Sequence, residues 1–199
     1  MNESSQKSFL NRIRNANYLH IGLPRAGSTF LPQRVFPCIE HVSIYSDENL
    51  YGPVFRNRYS SYFRDGMIDF FRKNFRGDGI IIVLRERKSW IKSCYRYYIE
   101  SGGYLSFQSW YKNIFDERVS FFDGYINKLR EYFDIYVASF EELKTNPYKF
   151  VKGICDFIKV DVPDTHFIQT NPSFKGPLLA LRQGVNYSFT YLKRIRSKL

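Results

Sequence analysis

The stretch that decides the fold covers residues 18–30 and reads YLHIGLPRAGSTF. An apolar, strand-like run of four residues enters a tight turn that holds two glycines and a proline, and Ser28 and Thr29 then open a predicted helix. Glycine lets a backbone approach an anion closely, and a helix N-terminus offers free N–H groups and a positive dipole end. The stretch therefore predicts an anion site. The lysine of the nucleotide-triphosphatase loop is absent, and Arg25 lies inside the turn instead.

A second stretch, at residues 79–93, reads GIIIVLRERKSWIKS. Its apolar run is typical of a strand buried on both faces. Arg85 follows this strand, and Ser93 lies eight positions later, about two turns into the next predicted helix. Ligands of open parallel sheets bind outside the carboxyl ends of the strands. Two such ends, each with an arginine, predict a ligand with two separate anionic groups.

Together the two stretches resemble the motifs of sulfotransferases that use 3′-phosphoadenosine 5′-phosphosulfate (PAPS). Residues 24–30 are similar to the family's 5′-phosphosulfate loop, and residues 79–93 to its 3′-phosphate motif, an apolar strand followed by Arg and, eight positions on, by Ser. Residues 140–143, FEEL, also resemble a later structural segment of the family. The resemblance covers roughly residues 17–160 and depends on the order, separation and Arg–Ser interval of the motifs.

This resemblance implies sulfuryl transfer from PAPS to a hydroxyl or amine of an acceptor. The other product would be adenosine 3′,5′-bisphosphate (PAP), and no metal would be needed. Arg25 aligns with a catalytic basic residue that stabilises charge on the bridging oxygen as the S–O bond breaks. Arg85 and Ser93 would hold the 3′-phosphate, and Lys175 and Gly176 faintly resemble a pair that closes over it. The loop that binds the 5′ side would consist of Pro24, Arg25, Ala26, Gly27, Ser28 and Thr29, and Phe30 aligns with an aromatic residue that stacks on adenine in the cytosolic members. An alternative stays open for several of these residues. Phe30 would then pack in the core, Arg85 would form a salt bridge at the edge of the sheet, and Ser28 and Thr29 would cap a helix.

The general base is expected near Arg25, at the end of the neighbouring strand. Polysaccharide-modifying members of the family place a glutamate there, which favours Glu48, with Asp47 next. His41 resembles the base of the cytosolic small-molecule enzymes loosely, and His20 is also within sequence reach. A solvated acidic loop is the alternative for Asp47 and Glu48. A carboxylate beside an arginine needs partial burial to serve as a base near neutral pH.

Composition sets the class of the protein. The 199 residues are 44% hydrophobic and 19% aromatic, which predicts one folded domain over residues 1–199 with a substantial core. The net charge of +11 favours anionic partners, and three widely spaced cysteines fit neither a disulfide framework nor a metal site. The cysteine pattern favours a reducing cytosol. The polar first seventeen residues hold no signal-peptide core, and the sequence contains no apolar run of about 18 residues. We therefore expect a cytoplasmic protein of the bacterial type.

Strands alternating with helices predict an α/β fold, a three-layer α/β/α sandwich with a mainly parallel sheet, of the P-loop NTPase-like type that the resemblance also implies. Residues 1–16 are predicted to form a polar leader with room for a short helix. Residues 177–199 are predicted to form a basic C-terminal helix that could contact a membrane. Strands are expected at 18–21, 41–45, 79–84 and 135–138, and helices at 59–75, 88–99, 106–132 and 147–158. A short or bent helix after Ser28 follows from Pro32 and Pro37.

The acceptor is expected to be a carbohydrate or another hydroxyl compound. Aromatic and arginine side chains suit a sugar, a phenol or an acidic glycan, although a tyrosine-rich core and surface is the alternative. The candidates are Tyr45, Tyr51, Phe55, Arg56, Arg58, Tyr59, Tyr95, Tyr97, Tyr98 and Tyr104. Competing hypotheses are a P-loop kinase, weakened by the missing Gly-Lys, a basic nucleic-acid-binding module, for which no motif is present, and a catalytically silent family member.

Overall fold

A sheet of four parallel strands, in the order β2-β1-β3-β4, lies at the centre of the computed structural model. The structure describes residues 3–27, 29–52, 60–164, 182–183 and 185–186. The strands are β1 (Tyr18–Ile21), β2 (Ile44–Asp47), β3 (Gly79–Leu84) and β4 (Ile135–Ser139). In the register, Ile21 lies between Asp47 of β2 and Ile82 of β3. The predicted α/β fold with a parallel sheet is confirmed.

Helices cover both faces of this sheet. They are α1 (Glu3–Asn15), α2 (Ser60–Asn74), α3 (Arg87–Glu100), α4 (Phe107–Asn113), α5 (Phe122–Arg130), α6 (Phe140–Thr145) and α7 (Pro147–Ile158). A π-helical turn at Leu31–Val35 and 3-10 turns at Phe36–Cys38, Glu48–Leu50 and Glu117–Ser120 connect them. In the described ranges, no helix has the length and apolar character needed to cross a membrane.

The alternation of side chains along the strands produces two hydrophobic cores. On one face, Leu19, Ile21, Ile80 and Ile82 pack beneath helices α1 to α5, in a core that also buries Trp90 and Trp110 completely. On the other face, Tyr18, Ile81 and Val83 pack beneath the turn at Leu31–Val35 and helices α6 and α7. The long apolar run of β3 is explained by this arrangement, since both of its faces are covered.

The crossover directions place a crevice between β1 and β3. The chain leaving β1 passes to one face, where Leu31 and Val35 are buried, whereas the chain leaving β3 enters α3 on the opposite face, where Trp90 and Ile91 are buried. Neighbouring strands whose connections diverge in this way leave a gap at their carboxyl ends, where ligands of open α/β sheets bind. Both sequence motifs lie at this gap.

Three segments differ from the sequence-based expectation. The polar leader forms the 13-residue helix α1, because Ile13 and Ala16 are buried against the sheet. The second strand begins at Ile44 and not at residue 41, since His41 has a left-handed φ of 63°. The single helix expected over 106–132 is divided into α4, a 3-10 turn and α5, because Asp116 caps the 3-10 turn.

Other expectations agree with the structure. Pro147 lies in the first turn of α7, the helix after β1 is short around Pro32, and α3 ends before Gly102 and Gly103. The predicted connection over 160–176 and basic helix from 177 lie largely outside the described residues.

A fully buried histidine lies in the central strand β1. The His20 Nδ1 atom is 2.7 Å from the Ser46 hydroxyl oxygen, and the ring packs edge-on against Phe36. Within the described part of the chain, Nε2 has no hydrogen-bond partner. Burial lowers the pKa of His20 to about 4, because the charged imidazolium is poorly solvated there.

Two glycines provide a paired test of the packing. A Cβ on Gly77 would lie 2.2 Å from the Asn17 carbonyl oxygen, whereas a Cβ on Gly66 in α2 would meet no atom within 4 Å. We expect Gly77→Ala to lower the free energy of unfolding by about 1–3 kcal/mol through overpacking. Gly66→Ala should raise it by about 0.5–1 kcal/mol, because alanine is the better helix former. Urea unfolding measures both, and equal effects would contradict this packing.

The buried histidine predicts a loss of stability in acid. Between its ordinary pKa of 6.5 and its folded value of about 4, the unfolded chain binds a proton that the folded chain does not. The free energy of unfolding should therefore fall by about 2 kcal/mol between pH 7 and pH 5 because of this residue. In urea unfolding, His20→Gln should remove that part of the decrease. His41→Gln, at an exposed histidine, is the matched control, and equal pH dependence of wild type and His20→Gln would refute the assignment.

Candidate anion-binding site

The turn after β1 has an unusual backbone. Arg25 and Gly27 have positive φ angles of 66° and 78°. A left-handed conformation costs a residue with a side chain roughly 1–2 kcal/mol, so the surroundings must hold Arg25 in place. At Gly27, an added Cβ would also lie 2.9 Å from the Phe140 ring. The glycine is therefore required both by its backbone angle and by the close approach of α6.

Two side chains fix the carbonyl groups of this turn. The Trp90 indole Nε1 donates a hydrogen bond of 2.7 Å to the Pro24 carbonyl oxygen. The Arg85 Nη1 atom donates one of 3.0 Å to the Arg25 carbonyl oxygen. Because Trp90 is fully buried and Arg85 ends the neighbouring strand, the turn after β1 is attached to the β3–α3 unit. The two sequence motifs thus form one structural unit.

The Arg25 side chain lies along one face of helix α3. Its Nε atom donates to the Ser93 hydroxyl at 3.4 Å, its Nη2 atom is 3.7 Å from Glu100 Oε2, and its guanidinium lies 5.5 Å from the centre of the Tyr97 ring. Residues 93, 97 and 100 are spaced by four and three, which puts them on one side of a helix. The Arg25 side chain is 25% exposed, so its charge is available at the surface of the crevice.

Arg85 is held in a similar way. Its Nε atom donates to the Ser89 hydroxyl at 3.0 Å, and its guanidinium lies 4.7 Å from the centre of the Phe140 ring. Burial is the main reason that the pKa of Arg85 is lowered from its ordinary value; nearby Arg96 and Arg25 act in the same direction, and Glu141 opposes them. An arginine remains charged in a protein, so two guanidinium groups carry positive charge into the crevice.

The arrangement suits an anion with two charged ends. The guanidinium groups of Arg25 and Arg85 come from the carboxyl ends of β1 and β3, and Arg85 also holds the Arg25 carbonyl. Arginine presents several N–H donors in a plane, which matches phosphate or sulfate oxygens. Ser89 and Ser93 add hydroxyl groups that can donate to an anion while accepting from the arginines.

Other residues predicted to bind the donor occupy different environments. Ala26 is fully buried, Gly27 is packed beneath α6, and Pro24 and Thr29 are half-buried. Phe30 lies in the core beside Phe150, with ring centres 6.4 Å apart, which is the packing alternative that the sequence left open. The remaining predicted donor residues, Ser28, Lys175 and Gly176, lie outside the described residues.

The predicted bases are not brought together. Asp47 ends β2 at the carboxyl edge of the sheet, and its backbone oxygen accepts from Gly22 N at 3.4 Å. Its carboxylate accepts from Asn49 N at 2.8 Å and from the Tyr45 hydroxyl at 3.1 Å. Glu48 is exposed at the start of a 3-10 turn. His41 precedes β2, which puts it at the opposite edge of the sheet with 92% of its side chain exposed.

Sequence reasoning missed several residues of this site. Glu100 and Tyr97 line the face of α3 that contacts Arg25, and Ser89 holds Arg85. Trp90 is fully buried, and its indole also donates a hydrogen bond to the turn after β1. Residues 89, 93, 97 and 100 have the spacing of one helix face, which the sequence alone could have indicated. The sequence does not indicate which element that face contacts.

Most of the described aromatic residues proposed for an acceptor site belong to the core. Tyr51 is 1% exposed, and Tyr95 and Tyr98 pack against Trp110. Tyr45 also packs against the core and lines a groove beside α1, whereas Tyr97 contacts Arg25 and Tyr104 is half-buried. Residues 55, 56, 58 and 59 lie outside the described ranges. No group of three His, Cys, Asp or Glu side chains that could hold a metal ion is found in the described ranges.

Comparison with known proteins gives a structural match. No protein-family model matches the sequence, and no curated protein matches it. A solved structure, a sulfotransferase from Alicyclobacillus acidocaldarius, matches over 87% of this chain and 92% of its own, with a TM-score of 0.57 and 17% sequence identity. The chain therefore has the α/β fold of that sulfotransferase.

Proposed function

We propose that this protein transfers the sulfuryl group of PAPS to a hydroxyl or amine of an acceptor, and that this acceptor is a carbohydrate. The observation that carries the proposal is the pair Arg25 and Arg85, which occupies the crevice between the carboxyl ends of β1 and β3. PAPS has a 5′-phosphosulfate and a 3′-phosphate, and two separate guanidinium groups match these two anionic ends. The fold shared with a solved sulfotransferase agrees with this reading.

The residues fit the donor. Arg85 and Ser89, which contact each other, provide donors for the 3′-phosphate, a group that ATP lacks, and Ser93 lies one helical turn further along α3, where its hydroxyl contacts Arg25. Arg25 and the turn at residues 22–27 serve the 5′ end. The side chains that hold this turn already fix the Pro24 and Arg25 carbonyl groups. A loop fixed before binding loses little entropy when it binds.

The donor supplies a sulfuryl group whose sulfur bonds to the acceptor oxygen or nitrogen as its bond to the 5′-phosphate breaks. Arg25 stabilises the negative charge that develops on the phosphate oxygen. The acceptor loses a proton, and two carboxylates are within reach of the crevice. Asp47 lies at the end of the neighbouring strand, and Glu100 lies beside Arg25 with a side chain that is 19% exposed. Glu100 thus joins Asp47 and Glu48 as a candidate base.

Loss of the Arg85 guanidinium should weaken donor binding. We expect the wild-type protein to bind PAP with micromolar affinity and Arg85→Ala to bind it at least tenfold more weakly, a change of about 1.4 kcal/mol. Isothermal titration calorimetry measures both values, and ATP and AMP, which lack the 3′-phosphate, should bind more weakly than PAP. Arg72→Ala, which removes an exposed arginine of α2, is a control for loss of charge.

Absence of PAP binding by folded wild-type protein would refute sulfuryl transfer from PAPS. Stronger binding of ATP than of PAP would favour the kinase hypothesis instead. Equal weakening by Arg72→Ala and Arg85→Ala would mean that overall charge, and not the crevice, binds the nucleotide.

Removal of the Glu100 charge should not weaken donor binding. Because Glu100 places a negative charge 3.7 Å from the guanidinium of Arg25, Glu100→Gln should bind PAP at least as tightly as the wild type does. Glu117→Gln, which removes a similar charge beside Arg87 at the surface, is the matched control. Calorimetry at low salt makes the comparison. A PAP affinity that falls in Glu100→Gln alone would show that the carboxylate is needed to position Arg25.

A further inference from the structure

A polar groove lies between helix α1 and the edge strand β2. Its volume is about 590 Å³, within the range of binding sites for small molecules and short polymers. The groove is lined by Ser4, Lys7, Ser8, Asn11, Arg12, Asn15, Ser43, Ile44 and Tyr45. The α1 residues in this set recur every three or four positions, so one face of the helix forms a wall along its whole length.

The chemistry of the lining is uniform. Serine hydroxyls and asparagine amides supply donors and acceptors, Lys7 and Arg12 supply positive charge, and the lining residues that the structure describes include no carboxylate. Ile44 is the one aliphatic member. The Tyr45 ring is half-buried and packs edge-on against Phe9, with ring centres 6.0 Å apart. The groove therefore favours a ligand that is rich in hydroxyl groups and negatively charged.

The walls of the groove are held by the fold. Ile13 of α1 is fully buried, and Phe9 stacks on Phe70 of α2 with ring centres 5.7 Å apart. Arg14, also on α1, donates to the Asn74 side chain at 3.1 Å. On the other side, β2 pairs with β1 alone among the described strands, so its second edge borders the groove. The polar face of α1 is thus presented by a rigid helix.

A chain of hydrogen bonds connects the groove to the carboxyl edge of the sheet. Arg12 hydrogen-bonds the Tyr45 hydroxyl, which donates to Asp47 Oδ2 at 3.1 Å. Burial, and then the charge of Asp47, raises the pKa of Tyr45 to about 12, so the phenol keeps its proton. The backbone carbonyl oxygen of Asp47, and not its carboxylate, accepts from the N–H of Gly22, which begins the turn that carries Arg25. Two residues of a strand span about 7 Å, so the groove ends roughly one sugar ring from Asp47.

From these observations we infer that the groove binds the acceptor, and that the acceptor is an acidic saccharide chain. This inference rests on the proposed function. Sugar hydroxyls pair with the serine and asparagine side chains, and carboxylate or sulfate groups pair with Lys7 and Arg12. The chain runs along α1 and passes Tyr45, which brings a sugar hydroxyl to Asp47 beside the turn after β1. The acceptor oxygen then approaches from the β2 side and the donor from the β3 side.

Two other anionic partners, a single-stranded nucleic acid and a membrane surface, match the lining less well. Single-stranded nucleic acids are bound largely by stacking of bases on exposed aromatic rings, and among the described lining residues the one aromatic ring is that of the half-buried Tyr45. An anionic membrane surface is bound by helices with an exposed apolar face, whereas the groove face of α1 carries Ser, Asn, Lys and Arg.

Calorimetry with defined oligomers tests the inference on the full chain. The probe is a hexasaccharide of alternating glucuronic acid and N-acetylglucosamine, and the neutral hexamer of N-acetylglucosamine is its uncharged counterpart. We expect Lys7→Ala/Arg12→Ala to bind the acidic hexasaccharide at least tenfold more weakly than the wild type. Lys149→Ala/Lys152→Ala removes the same formal charge from α7, on the opposite face of the sheet, and should change the affinity less than twofold.

A second variant guards against local unfolding. Because Arg12 also contacts Tyr45, the single change Lys7→Glu keeps that contact and should still weaken acidic hexasaccharide binding at least fivefold. Equal weakening by the groove and α7 double variants would overturn the inference, since it would indicate non-specific attraction to a basic protein. So would absence of acidic hexasaccharide binding, or tighter groove-dependent binding of a thymidine 12-mer or of vesicles rich in phosphatidylserine.

Measurement of PAP binding on the same samples separates the two proposals. The groove variants should keep the wild-type affinity for PAP within twofold. If the protein binds PAP and not the acidic hexasaccharide, the groove assignment fails and the donor site stands. If it binds the acidic hexasaccharide through the groove and not PAP, sulfuryl transfer fails and the saccharide site stands.

Discussion

The attachment of the turn after β1 to helix α3 is the interaction on which the site depends. Trp90 and Arg85 hold the Pro24 and Arg25 carbonyl groups, and Ser93 accepts a hydrogen bond from the Arg25 side chain. These contacts keep Arg25 in a left-handed conformation that is unfavourable in an isolated chain. The energy for this strain comes from the surrounding core, in which Trp90 is fully buried. The turn after β1 is thus held in one conformation by contacts within the chain itself.

Aromatic side chains hold helix α3, and with it the turn after β1, in place. Helices α3, α4 and α5 join through a cluster in which Trp90 packs against Phe115 and Phe122, and Trp110 packs against Phe115. Each such ring buries a large area, which makes the face of the sheet beneath α3 a firm support. Because α3 cannot shift without disturbing these contacts, its polar face stays directed at the crevice. Many tyrosines and phenylalanines that resemble ligand-binding residues in the sequence therefore belong to this support.

Charge is distributed to match the two proposed substrates. The crevice between β1 and β3 holds Arg25 and Arg85, and the groove beside α1 holds Lys7 and Arg12. Asp47 lies between the two regions, at the end of the strand that separates the groove from β1. Arg25 and the groove also share the face of the sheet that is covered by α1 to α3. A donor and an acidic acceptor could thus each be neutralised locally while their reacting atoms meet between them.

The sequence by itself determined the parallel α/β fold, the strand–turn unit that begins at residue 18 and the position of Arg85 directly after β3. These follow from local rules, because apolar runs, glycine turns and arginine after a strand carry their meaning within a few residues. The tertiary structure alone decided that His41 lies at the opposite edge of the sheet and that Phe30 packs in the core. Residue spacing cannot show such placements, since they depend on which elements cover each face.

Contacts between distant segments were likewise beyond the sequence. Glu100 lies next to Arg25 although the two residues are 75 positions apart in the sequence. Helix α1 lies beside β2 because α1 packs on the sheet to which β2 belongs. A polar leader and a surface helix have the same composition, and burial of Ile13 was needed to tell them apart. The sequence thus determined which residue types follow each strand, whereas the packing of helices on the sheet decided which side chains surround them. The physical reason is that local propensity is short-ranged and burial is a property of the whole fold.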